Sequence, residues 1–220
     1  MRPPAWLDRL RALAPGVRPE ELSGFLPPDE GGRDSAVLVL FGEGTEGPDV
    51  LLMQRSAQLR SHAGQPAFPG GGADPGDDGP AGTALREAAE EVGVEAAGVT
   101  VLAELPALYL PPSGYVVIPV LAWWHTPTEV GVVDPAEVAS VARVPIAELT
   151  DPANRFRARH PSGYVSPAFA VRDMVVWGFT AGLLDKVLTL GGWALPWDVD
   201  DVRELPPGAV ASATGVGVPP

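Results

Sequence analysis

The sequence predicts a layered fold in which α-helices pack on β-strands. Two strongly helical segments are separated and flanked by short apolar runs rich in β-branched residues, without a regular βαβ alternation. Of the 220 residues, 45% are hydrophobic and 20% are charged, which is typical of a globular protein that buries a core. These observations favour an α+β or mixed α/β structure with one main domain.

The individual elements follow from apolar periodicity and from the turn residues between them. Helices are predicted at residues 3–14, 83–92 and 173–190. Strands are predicted at residues 35–41, 50–54, 99–105, 115–124 and 137–146, the first two as a hairpin. Residues 15–34, 55–82 and 150–170 are predicted mainly as irregular connections. We therefore divide the chain into an N-terminal helix and extended segment (1–34), a main domain (35–202) and a disordered tail (203–220).

The charge and composition of the chain argue against several classes of function. The formal net charge is −13, so binding to nucleic acid or to an anionic membrane through positive surface charge is not expected. The absence of cysteine excludes disulfides and thiolate chemistry. Residues 1–16 lack the apolar run of a signal peptide, and prolines interrupt the uncharged stretch at 105–128. We expect a soluble, cytoplasmic protein.

Acidic residues concentrate on the helix predicted at 83–92. Glu87, Glu90 and Glu91 have the i, i+3, i+4 spacing that places side chains on one helix face. Three adjacent carboxylates repel one another, and Mg²⁺ or Mn²⁺ would compensate because these ions prefer carboxylate oxygens. Arg86 can pair with Glu90 one turn later. The alternative is a solvated acidic face without a ligand.

The segment before this helix favours a ligand. Gly70, Gly71 and Gly72 form a loop whose backbone can approach a bound molecule closely. Further upstream, Arg55, Arg60 and His62 lie in a stretch without acidic residues. Carboxylates for a metal ion and arginines for phosphate oxygens together suit a metal-bound polyphosphate.

Two motifs in this region resemble those of a known family. Residues 72–94 resemble the Nudix box, with R-E-A-A-E-E-V-G-V at 86–94 and Asp78 where the family usually has glutamate. Residues 51–71, LLMQRSAQLRSHAGQPAFPGG, resemble the signature of the coenzyme A pyrophosphatase branch, with Met53 in place of the usual threonine. The two motifs cover about a fifth of the chain.

The resemblance implies a fold, an activity and a set of site residues. The fold would be α/β, the Nudix fold, with a mixed β-sheet sandwiched between helices (α/β/α). The activity would be metal-dependent hydrolysis of a pyrophosphate in coenzyme A or a derivative, giving 4′-phosphopantetheine and adenosine 3′,5′-bisphosphate. Glu87 and Glu91 would be the principal metal ligands, and Glu90 a further ligand or a group that positions the attacking water. Arg86 would orient the glutamates, and the Gly71 carbonyl could add a ligand.

Substrate contacts are predicted for residues of the upstream segment. They are Arg55, Ser56, Arg60, His62, Phe68 and Gly70. The partner would be a small nucleotide pyrophosphate, and a homodimer is an option the family suggests. Two alternatives stay open: a Nudix hydrolase of NADH, ADP-ribose or a nucleoside triphosphate, and a Nudix-like sensor that binds a nucleotide without cleaving it.

Overall fold

The computed structural model describes residues 1–28, 30–59, 62–111 and 113–205. Its α-helices are α1 (Asp8–Leu13), α2 (Pro19–Leu22), α3 (Gly79–Val92), α4 (Ile146–Thr150) and α5 (Gly178–Gly191). Its strands are β1 (Arg33–Gly44), β2 (Gly47–Arg55), β3 (Pro66–Ala67), β4 (Gly70–Gly72), β5 (Val99–Glu104), β6 (Leu108–Leu110), β7 (Tyr115–Trp124), β8 (Val138–Pro145), β9 (Arg155–Arg159), β10 (Val165–Val171), β11 (Met174–Val176) and β12 (Val202–Glu204). No helix among these residues is long and apolar enough to cross a membrane.

An eight-stranded mixed sheet forms the centre of the fold. Strand β1 pairs in parallel with β7, and it pairs antiparallel with β2 and β4. Strand β2 also pairs with β3 and β8, and β7 also pairs with β5 and β6. The β1–β2 hairpin and the strands corresponding to β5, β7 and β8 confirm the sequence predictions.

Helices cover both faces of this sheet. The alternation of side chains along β1 sends Leu38 and Leu40 to one face and Val39 and Phe41 to the other. The first pair packs with the apolar residues of α3, and the second pair packs with α1 and α5. The α/β/α sandwich is therefore confirmed, and one buried core lies on each side of the sheet.

A second, four-stranded sheet of order β11-β10-β9-β12 packs against α5. Most of its residues were predicted as loop (150–170), and one of its strands lies where the start of a helix was predicted. The helix predicted at 173–190 begins at Gly178, because Met174–Val176 form β11 instead. Arg172 and Asp173 adopt positive φ angles of 48° and 60°, which closes a two-residue turn between β10 and β11.

The ends of the chain also differ from the predicted division. The N-terminal segment is part of the main core, since Leu7 and Leu10 are fully buried in it. The disordered tail predicted from residue 203 is wrong at its start, because Val202–Glu204 pair in parallel with Arg157–Arg159. Leu205 packs against the outer side of the second sheet. Residues 206–220 lie outside the described ranges.

Candidate active site

The site lies where β1 and β2 separate. Near their connecting turn these strands pair with each other, from Phe41–Val50 to Gly44–Gly47. Further along, β1 pairs with β4 and β2 pairs with β3. The segment 66–72 is therefore inserted between the two diverging strands. Helix α3 follows this segment and packs over β4 and β1, so its carboxylates lie next to the glycine-rich strand.

Two glycines of β4 lie where other groups approach closely. A Cβ atom on Gly70 would lie 2.3 Å from the Ala36 carbonyl oxygen and 2.6 Å from the Val37 Cα. A Cβ atom on Gly71 would lie 2.5 Å from the carboxyl carbon of Glu87. The first glycine lets β4 pack against β1, and the second leaves space for a carboxylate of α3.

Glu91 is the buried carboxylate of the site. Its side chain is 3% exposed, and its Oε2 accepts a hydrogen bond of 2.9 Å from the Gly70 backbone N–H. Its Oε1 lies 3.7 Å from Nη1 of Arg55. Burial raises the pKa of Glu91 to about 7, although the Gly70 hydrogen bond and Arg55 oppose that rise. The structure therefore holds a carboxylate whose charge is only partly compensated by the chain itself.

Glu87 lies one turn earlier on α3 and has a similar environment. Its side chain is 16% exposed and faces Gly71, and its Oε1 accepts a hydrogen bond of 3.1 Å from Nη1 of Arg86. Burial raises the pKa of Glu87, and the charges of Glu90 and Glu137 act in the same direction. Glu87 and Glu91 are thus two carboxylates that both lack full compensation.

Arg86 connects the helix to the preceding loop through several hydrogen bonds. Its Nε and Nη2 donate to the two carboxylate oxygens of Asp77 at 2.8 and 3.0 Å. Nη2 also donates to the Gly72 carbonyl at 2.9 Å, and Nη1 donates to Glu87 and Glu90 at 3.1 and 3.0 Å. The hydrogen bonds from Arg86 hold the pKa of Asp77 well below its usual range. Arg86 therefore fixes the loop and two glutamates relative to one another.

Glu90 has a different position from the other two glutamates. Its side chain is 61% exposed and bonds to Arg86 at the helix surface. Within the described ranges, no three histidine or acidic side chains are grouped closely enough to hold a metal ion. The structure thus brings two of the three predicted carboxylates, Glu87 and Glu91, to the same side of α3, and it leaves Glu90 at the rim.

Several predicted substrate residues make contacts within the fold. Ser56 is 5% exposed, and its Oγ accepts a hydrogen bond from the Gln58 N–H. Phe68 is 2% exposed and packs in the larger core, so this burial does not support a substrate contact by its side chain. Gly70 donates its N–H to Glu91, which makes it a positioning residue. Arg60 lies outside the described ranges.

His62 and Arg55 occupy the loop that borders the site. His62 has a positive φ of 54°, and its Nδ1 lies 3.0 Å from Oε1 of Gln65. The His62 ring is therefore engaged within its own loop. Arg55, at the end of β2, is the predicted substrate residue whose guanidinium lies beside a site carboxylate.

Two residues of the site were missed by the sequence analysis. Asp77 holds Arg86, whereas the motif had pointed to its neighbour Asp78, whose side chain makes no capping hydrogen bond to α3. Glu137 precedes β8, and its carbonyl accepts a hydrogen bond of 2.7 Å from the Ser56 N–H. The negative charge of Glu137 raises the pKa of both Glu87 and Glu91. The pairing of β8 with β2, which brings Glu137 there, leaves no local signal in the sequence.

The donor set fits a hard divalent cation. Glu87 and Glu91 are carboxylates, the ligand type that Mg²⁺ and Mn²⁺ prefer, and burial penalises the charge of both. A cation between α3 and β4 would supply the compensation that Arg55 and Arg86 provide only in part. This observation supports a two-carboxylate metal site next to Gly71.

The fold and this site define a class of protein: an α/β/α sandwich that presents helix carboxylates to a glycine-rich loop. Comparison with known proteins identifies the family. Residues 32–169 match the NUDIX domain, and the chain belongs to the Nudix hydrolase family. It is a pyrophosphohydrolase that acts on nucleoside diphosphate derivatives, and Nudix hydrolases generally use divalent metal ions.

Two relatives and one solved structure illustrate the similarity. The uncharacterised Nudix hydrolase NudL of Citrobacter koseri is 35% identical over 197 residues, which cover 83% of this chain and 91% of that protein. The NudL of Escherichia coli K12 is 33% identical over the same coverage. The crystal structure of RenU, a Nudix hydrolase from M. smegmatis, has a TM-score of 0.53 at 18% identity, covers 80% of this chain and 99% of that one, and shows likeness of fold alone.

Proposed function

We propose that this hydrolase cleaves the pyrophosphate of coenzyme A or a derivative of it, with Mg²⁺ or Mn²⁺ as cofactor. The products would be 4′-phosphopantetheine and adenosine 3′,5′-bisphosphate. The observation that carries the proposal is the position of residues 51–59 and 62–71. This part of the coenzyme A-type motif contributes the end of β2 (residues 51–55), β3 and Gly70 to the site, and its Arg55 lies 3.7 Å from Glu91.

The side chains of the site suit an attack on a pyrophosphate. A divalent cation, when bound, neutralises the negative charge of the pyrophosphate and acidifies water. Glu87 and Glu91 would hold that cation, and Gly70 keeps Glu91 oriented through its N–H. Arg86 fixes the position of α3 relative to the glycine-rich segment through its hydrogen bonds to Asp77 and to the Gly72 carbonyl. Arg55 would bind the phosphate oxygens, because a guanidinium matches them with paired donors.

Proton transfer from the attacking water requires a base near the cleft. Glu87, Glu91 and the rim residues Glu90 and Glu137 are the carboxylates available there. Kinetics of the four single variants, together with their Mn²⁺ affinity, would distinguish a base, whose loss leaves metal binding intact, from a metal ligand.

A substrate panel tests the proposal. The purified protein is incubated with coenzyme A, NADH, ADP-ribose and dATP, each with Mg²⁺, Mn²⁺ or EDTA, and products are identified by mass. We expect 4′-phosphopantetheine from coenzyme A only with a divalent ion, at a kcat/KM well above the other substrates. The Glu91→Gln variant is the control and should lose most turnover.

The other outcomes of the panel separate the alternatives. Preferred cleavage of NADH, ADP-ribose or dATP would replace the substrate and keep the enzyme class. Binding of a nucleotide without any product would favour a sensor and contradict the proposal. The homodimer stays a prediction, which sedimentation of the purified protein tests directly.

A further inference from the structure

The two arginines of the site differ in how far their hydrogen-bonding capacity is used. Arg86 has all three guanidinium nitrogens bonded to oxygen at 2.8–3.1 Å. Arg55 lies 3.7 Å from Glu91, which is longer than a hydrogen bond, and its Nε is buried without an acceptor in the described part of the chain. Arg86 is therefore locked in place, whereas Arg55 retains unused donors.

An unpaired buried donor is unfavourable, so its presence calls for an explanation. The Arg55 backbone is held on both sides, because its N–H donates to the Gln65 carbonyl at 3.0 Å and its carbonyl accepts from the Gly64 N–H at 3.1 Å. The pairing of β2 with β8 is irregular between Gln54 and Arg55. The main chain is thus fixed, and only the Arg55 side chain has freedom to change partners.

We propose that Arg55 exchanges its ionic partner between the metal-free and the loaded site. It lies beside Glu91 while that carboxylate is free, and it turns to a phosphate group of the substrate when a divalent cation occupies Glu91. This inference rests on the proposed function, since it takes the pyrophosphate as the second partner. The charges of Glu87 and Glu137 also act on Glu91, so they add to the negative charge of the carboxylate beside Arg55 until a cation offsets it.

The exchange couples two binding events. Arg55 and a divalent cation compete for the same carboxylate, so a bound cation makes the guanidinium available to an anion. Because coupling between two sites is reciprocal, a bound anion that captures Arg55 also favours the cation. The metal-free site therefore binds pyrophosphate poorly for two reasons. Its carboxylates repel the anion, and Arg55 is already paired with Glu91.

A double-mutant cycle in EDTA tests whether Glu91 occupies Arg55 and so weakens the binding of pyrophosphate. The probe is inorganic pyrophosphate, titrated calorimetrically into wild type, Arg55→Met, Glu91→Gln and the double variant. While Glu91 is present, Arg55→Met should change the affinity little. When Arg55→Met is added to the Glu91→Gln variant, it should lower the affinity by roughly twofold to fivefold, the range for a partly screened ion pair. Arg159→Met, an exposed arginine on β9, is the matched control and should have no effect in either background.

The competition between Arg55 and the cation for Glu91 is measured by metal binding in the absence of an anion. Removal of Arg55 should tighten Mn²⁺ binding by roughly twofold to fivefold, measured by electron paramagnetic resonance of free Mn²⁺. Arg55→Gln, which removes the charge but keeps a polar side chain, replaces Arg55→Met if the latter does not fold and should tighten Mn²⁺ binding to the same extent. Arg55→Lys, which keeps the charge, should leave Mn²⁺ affinity close to wild type. Weaker Mn²⁺ binding in Arg55→Met would contradict the exchange.

Two results of the cycle would also overturn the inference. An equal loss of pyrophosphate affinity with and without the Glu91→Gln substitution would mean that Arg55 serves the anion permanently. An absence of any loss in the Glu91→Gln background would mean that Arg55 does not bind the anion. Neither titration uses coenzyme A, so a failure of the substrate proposal appears in the substrate panel alone.

Discussion

Replacing Glu91 with glutamine is expected to stabilise the metal-free protein at alkaline pH while it removes most of the activity. Burial raises the pKa of Glu91 from 4.5 to about 7. A carboxyl group with a raised pKa in the folded state favours folding while it is protonated. That contribution is complete below pH 4.5 and is lost as the pH rises through 7. Glutamine remains neutral throughout and escapes this loss.

The size of the effect follows from the width of that pH interval. The pKa difference of about 2.5 units, at about 1.4 kcal/mol per unit, corresponds to about 3 kcal/mol. Urea unfolding in EDTA at about pH 5 and about pH 8 measures the free energy of unfolding of both proteins. The advantage of Glu91→Gln over wild type should grow by most of this amount between the two pH values.

A divalent ion should reverse the order of stability. Mg²⁺ binding to the folded state stabilises wild type, and the gain should be larger at the higher of these pH values because the proton no longer competes. Glu95→Gln, an exposed substitution after α3, controls for the loss of one charge and should show neither dependence. A pH-independent difference between Glu91→Gln and wild type would refute the claim that Glu91 is a buried, under-compensated carboxylate.

Four further substitutions test the surroundings of the glutamates. Gly71→Ala places a Cβ atom 2.5 Å from the carboxyl carbon of Glu87 and should lower kcat by about two orders of magnitude. Gly72→Ala meets open space and should cost much less in the same assay. Asp77→Asn removes the charge and one of the two acceptors that Asp77 offers to Arg86, and it should lower kcat about tenfold with little change in KM, as steady-state kinetics would show. Asp78→Glu should alter kcat/KM by less than about twofold, since the Asp78 side chain makes no capping hydrogen bond to α3. A large change would contradict the inference that this side chain has little influence on the site.

The helix α3 and its neighbours were predictable because their signals are local. The spacing of Glu87 and Glu91 required only helical periodicity, and Gly93 marked the end of the helix, as the structure confirms. The start at Gly79 rather than residue 83 was missed because glycine and proline are typical of loops. Pro80 is nevertheless compatible with a first helical turn, where its missing N–H has no partner to lose.

Features that depend on distant pairing could not be predicted in this way. The sequence around Val175 and Val176 has an apolar run that suits either the end of a strand or the start of a helix. Only pairing with Phe169–Val171 settles it as a strand. Likewise, Glu137 reaches the site through the antiparallel pairing of β8 with β2, and Phe68 is withdrawn from it by packing against the far core.

The most direct test of the two-carboxylate site is a crystal structure with Mn²⁺ and adenosine 3′,5′-bisphosphate, one of the proposed products. Anomalous scattering locates the ion independently of the placement of the protein atoms. We predict a peak within coordination distance of the Glu87 and Glu91 carboxylates beside Gly71, with the nucleotide in the adjoining cleft. A fully occupied Mn²⁺ peak elsewhere, with these two carboxylates free, would contradict the account.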